Sequence, residues 1–295
     1  MLPSLGRVGV WVAGIDLRPV SESAAAAAEL EGLGFSALWL SEGLLRDPFL
    51  ESANLLRATE SLVVGTGIAV IWGRHPRLVR NQVRSLTESH PDRFVLGLGS
   101  SHARVVEGAL GLRYSRPLTA LREHLDGLDE PDPILPLVGL PETRPRAPRV
   151  LAALGPKALA LARDRADGAI TYFVTPEHTA QAREILGPDR RLVVEQAVVV
   201  GVPDAAERAR THVGTYLATA PYHDSLRRLG FTDADLADGG SARLVDAIVA
   251  TSGSAVADRV DAHLRAGADQ VCLQALPADP RTLPLDQWRE LAELR

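Results

Sequence analysis

The feature that most restricts what this chain can fold into is a succession of eight short apolar runs, each followed by a stretch rich in alanine and leucine. The runs fall at residues 7–12, 37–40, 62–71, 93–98, 149–153, 168–174, 192–200 and 269–275. They are nearly continuous rather than alternating, the pattern of parallel strands covered on both faces. Helical stretches between them complete βα units around one sheet. Eight units predict an α/β fold of the (β/α)8 barrel type, with a doubly wound open sheet as the alternative. A first helix is expected from Ala24 to Leu33, with Ser21 or Ser23 as N-cap and Gly34 as its stop. Another is expected over 76–87, and a helical section over about 205–249, broken near Gly239-Gly240. Residues 111–148, rich in proline, aspartate and arginine with a small apolar run at 134–140, read as a helix plus a short insertion between strands 4 and 5. That segment is too short for a core of its own. The whole of 1–295 is therefore read as a single barrel domain, since barrels of about 250 residues fold as one unit.

Composition narrows the chemistry. A net charge of -5 argues against a nucleic-acid surface. No apolar run approaches the roughly 18 residues of a membrane span. Residues 1–7 lack the basic and apolar regions of a signal peptide. One cysteine, Cys272, excludes an internal disulfide framework and a cysteine-based zinc site, and the expected location is the cytoplasm. The only lysine is Lys157, so Schiff-base chemistry would have to fall on it.

In a barrel, function sits in the loops at the C-terminal ends of the strands. After the fourth strand comes Gly97-Leu-Gly-Ser-Ser-His102. Its glycines allow close backbone approach, and its successive N–H groups and serine hydroxyls suit an anion. The dinucleotide spacing fails at His102, and a plain tight turn explains the segment equally well. After the fifth strand comes Ala152-Ala-Leu-Gly-Pro-Lys157, where Pro156 suits a helix start whose free N–H groups attract phosphate. Gly65-Thr-Gly-Ile-Ala69 lies inside the third strand, whose glycines mark a bulge, a close approach or a plain twisted strand, and Arg74-His-Pro76 follows it. Glu42, in Ser41-Glu-Gly43, is the carboxylate placed to reach the mouth, or else a rim salt bridge. Tyr172 lines the pocket or packs; Tyr222 and His223 cap it or lie on the surface. His124, His178, His212 and His263 show no metal-ligand spacing, so no metal site is expected.

Taken in order, these stretches resemble the bacterial-luciferase-like superfamily and, within it, the actinobacterial coenzyme F420-dependent oxidoreductases. The resemblance runs through Gly65 to Ala69, Arg74-His-Pro76, Asp92 to His102, Val150 to Pro156, Ala166-Asp-Gly-Ala169 and Ala266 to Val271. It implies a barrel with a deazaflavin (coenzyme F420), or alternatively FMN, at its C-terminal mouth. The phosphate tail would meet Gly99, Ser100, Ser101 and His102, and also Ala153, Leu154, Gly155 and Pro156. A non-prolyl cis peptide supporting the ring would fall at Gly67-Ile68, with Ala69 beside it. The implied activity is hydride transfer between the deazaflavin and an organic small-molecule substrate, with Glu42 and His102 as candidate proton donors or acceptors. An FMN-dependent monooxygenase taking reduced flavin from a partner reductase is the alternative, and a non-catalytic flavin-binding barrel is the alternative of another class. A homodimer without nucleic-acid or membrane partners is the family expectation. Two departures matter: several relatives carry an Asp-His pair where this chain has Glu42-Gly43, so that histidine's role does not transfer, and the segment 111–148 is compact beside that of many relatives, so substrate contacts from it do not transfer either.

Overall fold

The computed structural model describes residues 3–43, 45–139 and 148–294. Its strands are β1 (Val8–Val12), β2 (Ala37–Leu40), β3 (Val63–Thr66), β4 (Ala69–Val70), β5 (Phe94–Gly99), β6 (Arg149–Ala152), β7 (Gly168–Thr171), β8 (Arg191–Val198), β9 (Val249–Ala250) and β10 (Gln270–Ala275). Pairing runs β10-β1-β2-β3-β5-β6-β7-β8 and returns from β8 to β10, so eight parallel strands close a (β/α)8 barrel. The closed barrel, not the open sheet, is what the eight runs encode.

The continuous apolar runs are explained by two cores. Alternate residues such as Val10, Leu38, Leu96, Leu151 and Leu273 face the surrounding helices. Their neighbours, among them Trp11, Trp39, Val95, Val150 and Cys272, fill the lumen. A residue on either face is buried, so no polar alternation develops. Leu5 belongs to the lumen cluster and precedes β1, so it closes the N-terminal end of the barrel. Gln270 ties it there, donating from Nε2 to the Leu5 carbonyl and accepting from the Trp39 indole N–H at 2.8 Å. Approach to the lumen is therefore from the C-terminal mouth.

Several elements differ from expectation. The first helix starts earlier, at Val20 after Pro19, and spans Val20–Gly32. Ser23 is buried within it and donates to the Ile15 carbonyl at 3.0 Å, so neither serine caps it. The third run is two strands, because the chain breaks at Gly67-Ile68 and resumes as β4, which pairs with β5. The section expected as helical over 205–249 holds four helices, Ala205–Leu217, Ala220–Arg228, Asp233–Leu236 and Ala242–Ile248, and ends in β9, which pairs with the end of β8. Of the segment 111–148, the helix Pro117–Asp129 belongs to the ring around the barrel, packing on Pro76–Ser89 and Pro156–Arg165. Arg149 locks it to β6 through two 2.7 Å bonds to the Asp129 carboxylate. Among the described residues of that segment the turn Pro136–Val138 is insertion-like; residues 140–147, with the end of the expected apolar run over 134–140, lie outside the described residues. Among the described residues no helix is long and apolar enough to cross a membrane.

Candidate active site

The site is built where β3, β5, β6 and β7 end. The peptide bond between Gly67 and Ile68 is cis. Around this break the Thr66 hydroxyl substitutes for strand pairing: it donates to the Gly97 carbonyl and accepts from the Gly97 N–H, both at 2.8 Å. The glycines here serve the protein's own packing. A Cβ on Gly97 would lie 1.8 Å from the Thr66 carbonyl oxygen, and one on Gly99 would lie 2.7 Å from Cδ1 of Ile68 and 2.9 Å from Cβ of Ala152. Gly65 and Gly67 likewise make room for the indoles of Trp39 and Trp11, at 2.4 and 2.7 Å. The expected close approach of backbone to a ligand is thus replaced, at these glycines, by close approach to Thr66, Ile68 and two tryptophans.

Beyond Gly99 the chain turns sharply. Ser101 takes a φ of 55°. The Ser100 carbonyl accepts from the Trp72 indole at 2.7 Å and the Ser101 carbonyl from the Tyr114 hydroxyl at 3.1 Å. With those carbonyls held, the N–H groups of Ser100, Ser101 and His102 have no acceptor among the described residues. Successive free N–H groups of this kind form a concavity for an anion. β5 pairs with β6, so the turn at Ala153 to Pro156 is its neighbour. Gly155 caps the helix Pro156–Arg165 without a side-chain hydrogen bond, and Pro156 has no N–H to satisfy. Two of the expected contacts face the helix layer instead. Ala69 and Ala153 are buried in the core under the helices, and the Ala153 N–H is taken by the Ile170 carbonyl at 3.1 Å.

Two residues that sequence reasoning passed over hold this second turn. The His178 ring bonds the Leu154 carbonyl through Nε2 at 2.8 Å. A carbonyl only accepts, so Nε2 carries the proton of this bond; burial lowers the proton affinity of His178, with the bond to Leu154 opposing and the charge of Arg228 reinforcing that shift. Arg228, the last residue of the helix Ala220–Arg228, brings its guanidinium 3.9 Å from where a Cβ of Gly155 would sit. It is exposed and has no ion-pair partner among the described residues, whereas Arg227 beside it is bound to Asp233 at 2.7 Å. No local signal separates Arg228 from the other arginines of the chain; its position follows from helix packing.

Glu42 lies at the mouth, with its carboxylate fully engaged. It accepts from the Val70 N–H at 2.7 Å and from Arg74 at 2.8 and 2.9 Å, the two side chains being 5% and 18% exposed. The rim salt bridge is the observed state, and it fastens β4 to the end of β2. His102 is half-buried, its Nδ1 has no partner among the described residues, and its Nε2 faces the Tyr222 hydroxyl at 3.5 Å; burial lowers its proton affinity. Tyr222, for which surface placement was the alternative, is buried against Phe173 and Tyr216. His223 bonds the Leu217 carbonyl at 2.5 Å and faces away from this cluster's hydroxyls. Tyr172 stacks tilted on Trp11 with centroids 5.2 Å apart, and its hydroxyl donates to Tyr216 at 2.7 Å. The chain has four tyrosines, and Tyr114, Tyr172, Tyr216 and Tyr222 all stand around this mouth.

Residues 5–130 match the sequence profile of a family described as luciferase-like monooxygenase. A Mycobacterium tuberculosis protein provisionally assigned as a coenzyme F420-dependent oxidoreductase is 29% identical over 205 residues, 61% of this chain and 58% of that protein, so the match spans less than two thirds of the relative's length. Among solved structures, an F420-dependent secondary alcohol dehydrogenase in complex with an F420-acetone adduct superposes with a TM-score of 0.75 at 16% identity, over 100% of this chain and 99% of that one. The oxygenating constituent of a Pseudomonas putida 3,6-diketocamphane monooxygenase, in complex with FMN, superposes with a TM-score of 0.71 at 15% identity, over 97% and 96% of the two chains. At such identities these two structures speak for the fold. Residues 5–130 are thus similar to the luciferase-like family, and the remainder completes the same barrel fold as these structures.

Proposed function

We propose that the protein is an oxidoreductase that moves a hydride between a deazaflavin of the coenzyme F420 type and a small organic substrate. The observation that carries this reading is the pair of adjacent anion-seeking turns at the mouth, with Arg228, which has no ion-pair partner among the described residues, over one of them. A phosphate fits what they offer: the free N–H groups of Ser100, Ser101 and His102, the helix start at Gly155-Pro156, and one cation. The cis step at Gly67-Ile68 and the aromatic pair Trp11–Tyr172 would then border the ring. A deazaflavin, when bound, supplies two electrons as a hydride, while the protein supplies binding, orientation and exclusion of water. The names of the mycobacterial relative and of the secondary alcohol dehydrogenase support this cofactor class. Of the two proton-transfer candidates, His102 keeps a free ring nitrogen, whereas Glu42 is tied to Arg74 and acts on the position of β4. The reading as an FMN-dependent monooxygenase is favoured by the family's description and by the FMN-bound neighbour, and the same turns would hold its phosphate.

Titrating the purified protein with F420 and with FMN, following cofactor fluorescence, separates the two. Micromolar binding of F420 but not FMN is the expected result. The opposite selectivity would replace the first reading with the second, and binding of neither would refute both.

A further inference from the structure

Glu195 is a carboxylic acid in the barrel lumen for which the proposed function has no use. It lies in β8, two residues after the lumen residue Val193, and is level in register with Cys272 of β10. It is 1% exposed. Oε2 accepts the Phe173 N–H at 3.0 Å, where Phe173 takes a φ of 60°, and Oε1 has no partner. The titratable groups facing it are the Cys272 thiol from β10, the Tyr172 hydroxyl from the end of β7, Tyr216 from the helix Ala205–Leu217 and Tyr222 from the helix Ala220–Arg228. None of these is a cation, and among the described residues Glu195 forms no ion pair.

A carboxylate buried without a cation is costly, and the group takes a proton instead. Burial raises its proton affinity and the Phe173 N–H partly opposes this, leaving a pKa of about 8. Because Oε2 already receives an N–H, the proton belongs on Oε1. Nearby, Tyr172 donates to Tyr216, Tyr216 packs edge-on against Tyr222, and Tyr222 faces the free ring of His102. Buried polar atoms left without protein partners are commonly met by a buried water, which would bridge Oε1 to these hydroxyls.

We propose that Glu195 is the proton store of the barrel mouth, holding a proton at neutral pH and passing it to the mouth through the Tyr172–Tyr216 hydroxyl pair. Its use rests on reading the mouth as a hydride-transfer site. Delivering a hydride to a polarised double bond forms a new bond to hydrogen, opens the π bond and leaves an electron pair that takes one proton. Glu195 supplies that proton by relay, each hydroxyl giving up its own and accepting the next, and the resulting carboxylate is reprotonated from solvent. Glu195 touches no substrate in this scheme; it acts through the tyrosines.

Infrared titration of the protein without cofactor tests this. The wild type should show a protonated-carboxyl stretch at neutral pH that disappears as pH rises through about 8. Glu195→Gln should lack it, and Tyr172→Phe or Tyr216→Phe should move its frequency or midpoint. A spectrum in which Glu195→Gln removes no such band at neutral pH overturns the proposal, as does a band indifferent to both tyrosine variants. These arms need no cofactor, so failure of F420 to bind would refute the reading of the mouth without being confused with failure of the store. In F420-loaded protein, Glu195→Gln should keep the wild-type affinity but lose the break near pH 8 in the rate of cofactor oxidation or reduction. A break unchanged in the variant counts against the store.

Discussion

Replacing Arg228 by alanine isolates the anion-binding reading from the stability of the fold. The guanidinium is exposed, ends its helix, and holds no ion pair among the described residues, so its removal should cost the fold little. Surface substitutions of that kind stay within about 0.5 kcal/mol in stability. Its place 3.9 Å from the Cβ position of Gly155 puts it within direct reach of a phosphate on that helix start. Two unit charges about 4 Å apart interact by about 1 kcal/mol in water and about 4 kcal/mol near a protein surface. Exposure favours the lower end, so a loss of about 1–1.5 kcal/mol is expected, or roughly 5- to 10-fold in Kd for the cofactor. Fluorescence titration at two salt concentrations measures it, and the variant should also show a weaker salt dependence than the wild type. Arg227→Ala is the internal control: it is one residue away on the same helix, but its guanidinium is committed to Asp233. Equal affinity of wild type and Arg228→Ala, or equal weakening by both variants, would refute the placement of the phosphate beside Gly155.

Three further outcomes are expected. Glu42→Ala removes the ion pair of Arg74, leaving it the 3.3 Å contact to Asp47 and the 2.8 Å bond to the Val70 carbonyl, and strands the Val70 N–H; urea unfolding should show a loss of about 3 kcal/mol, the lower end for breaking a buried pair, and an unchanged midpoint would contradict the structural role. Gly65→Ala should destabilise by about 1–3 kcal/mol in thermal unfolding, because its methyl would meet the buried Trp39 ring at 2.4 Å; a neutral or stabilising effect would mean the lumen has slack. Glu31 accepts the N–H groups of Glu60, Ser61 and Leu62, and although partial burial opposes it, these bonds bring its pKa to about 2. The unfolded value is higher, so the stabilisation is present above the ordinary carboxylate range and lost as pH falls toward about 2. Acid unfolding of Glu31→Gln should therefore differ from wild type less at pH 2 than at pH 6, and a constant gap would exclude the linkage.

The turn at Ser100 to His102, proposed as an anion site, was legible as a turn because its signal is local: two glycines, two serines and a strand before them. What those glycines are for was not legible. A glycine that admits a ligand and one that admits Ile68 or Trp39 look alike in sequence, and only the packed neighbours distinguish them. Glu42 was identifiable as a mouth carboxylate, but its engagement by Arg74 depends on a loop-to-strand contact 32 residues apart. Arg228, Glu195 and Tyr216 carried no motif at all. Ala69 and Ala153 stood next to the right turns, yet they sit on the outward-facing positions, since a one-residue step along a strand exchanges lumen for helix layer.

By itself, then, the sequence determined the architecture. Eight apolar runs alternating with helical stretches call for a parallel sheet covered on both faces, and the glycine-bearing turns after them pointed to one rim of it. Only the tertiary structure decided which groups meet there. Arg228 reaches Gly155 from a helix more than 70 residues downstream, and Glu195 is left without a cation in the lumen by what its neighbouring strands happen to carry. Strand and turn formation depend on the side chains nearest in the chain, whereas charge pairing and burial depend on those nearest in space.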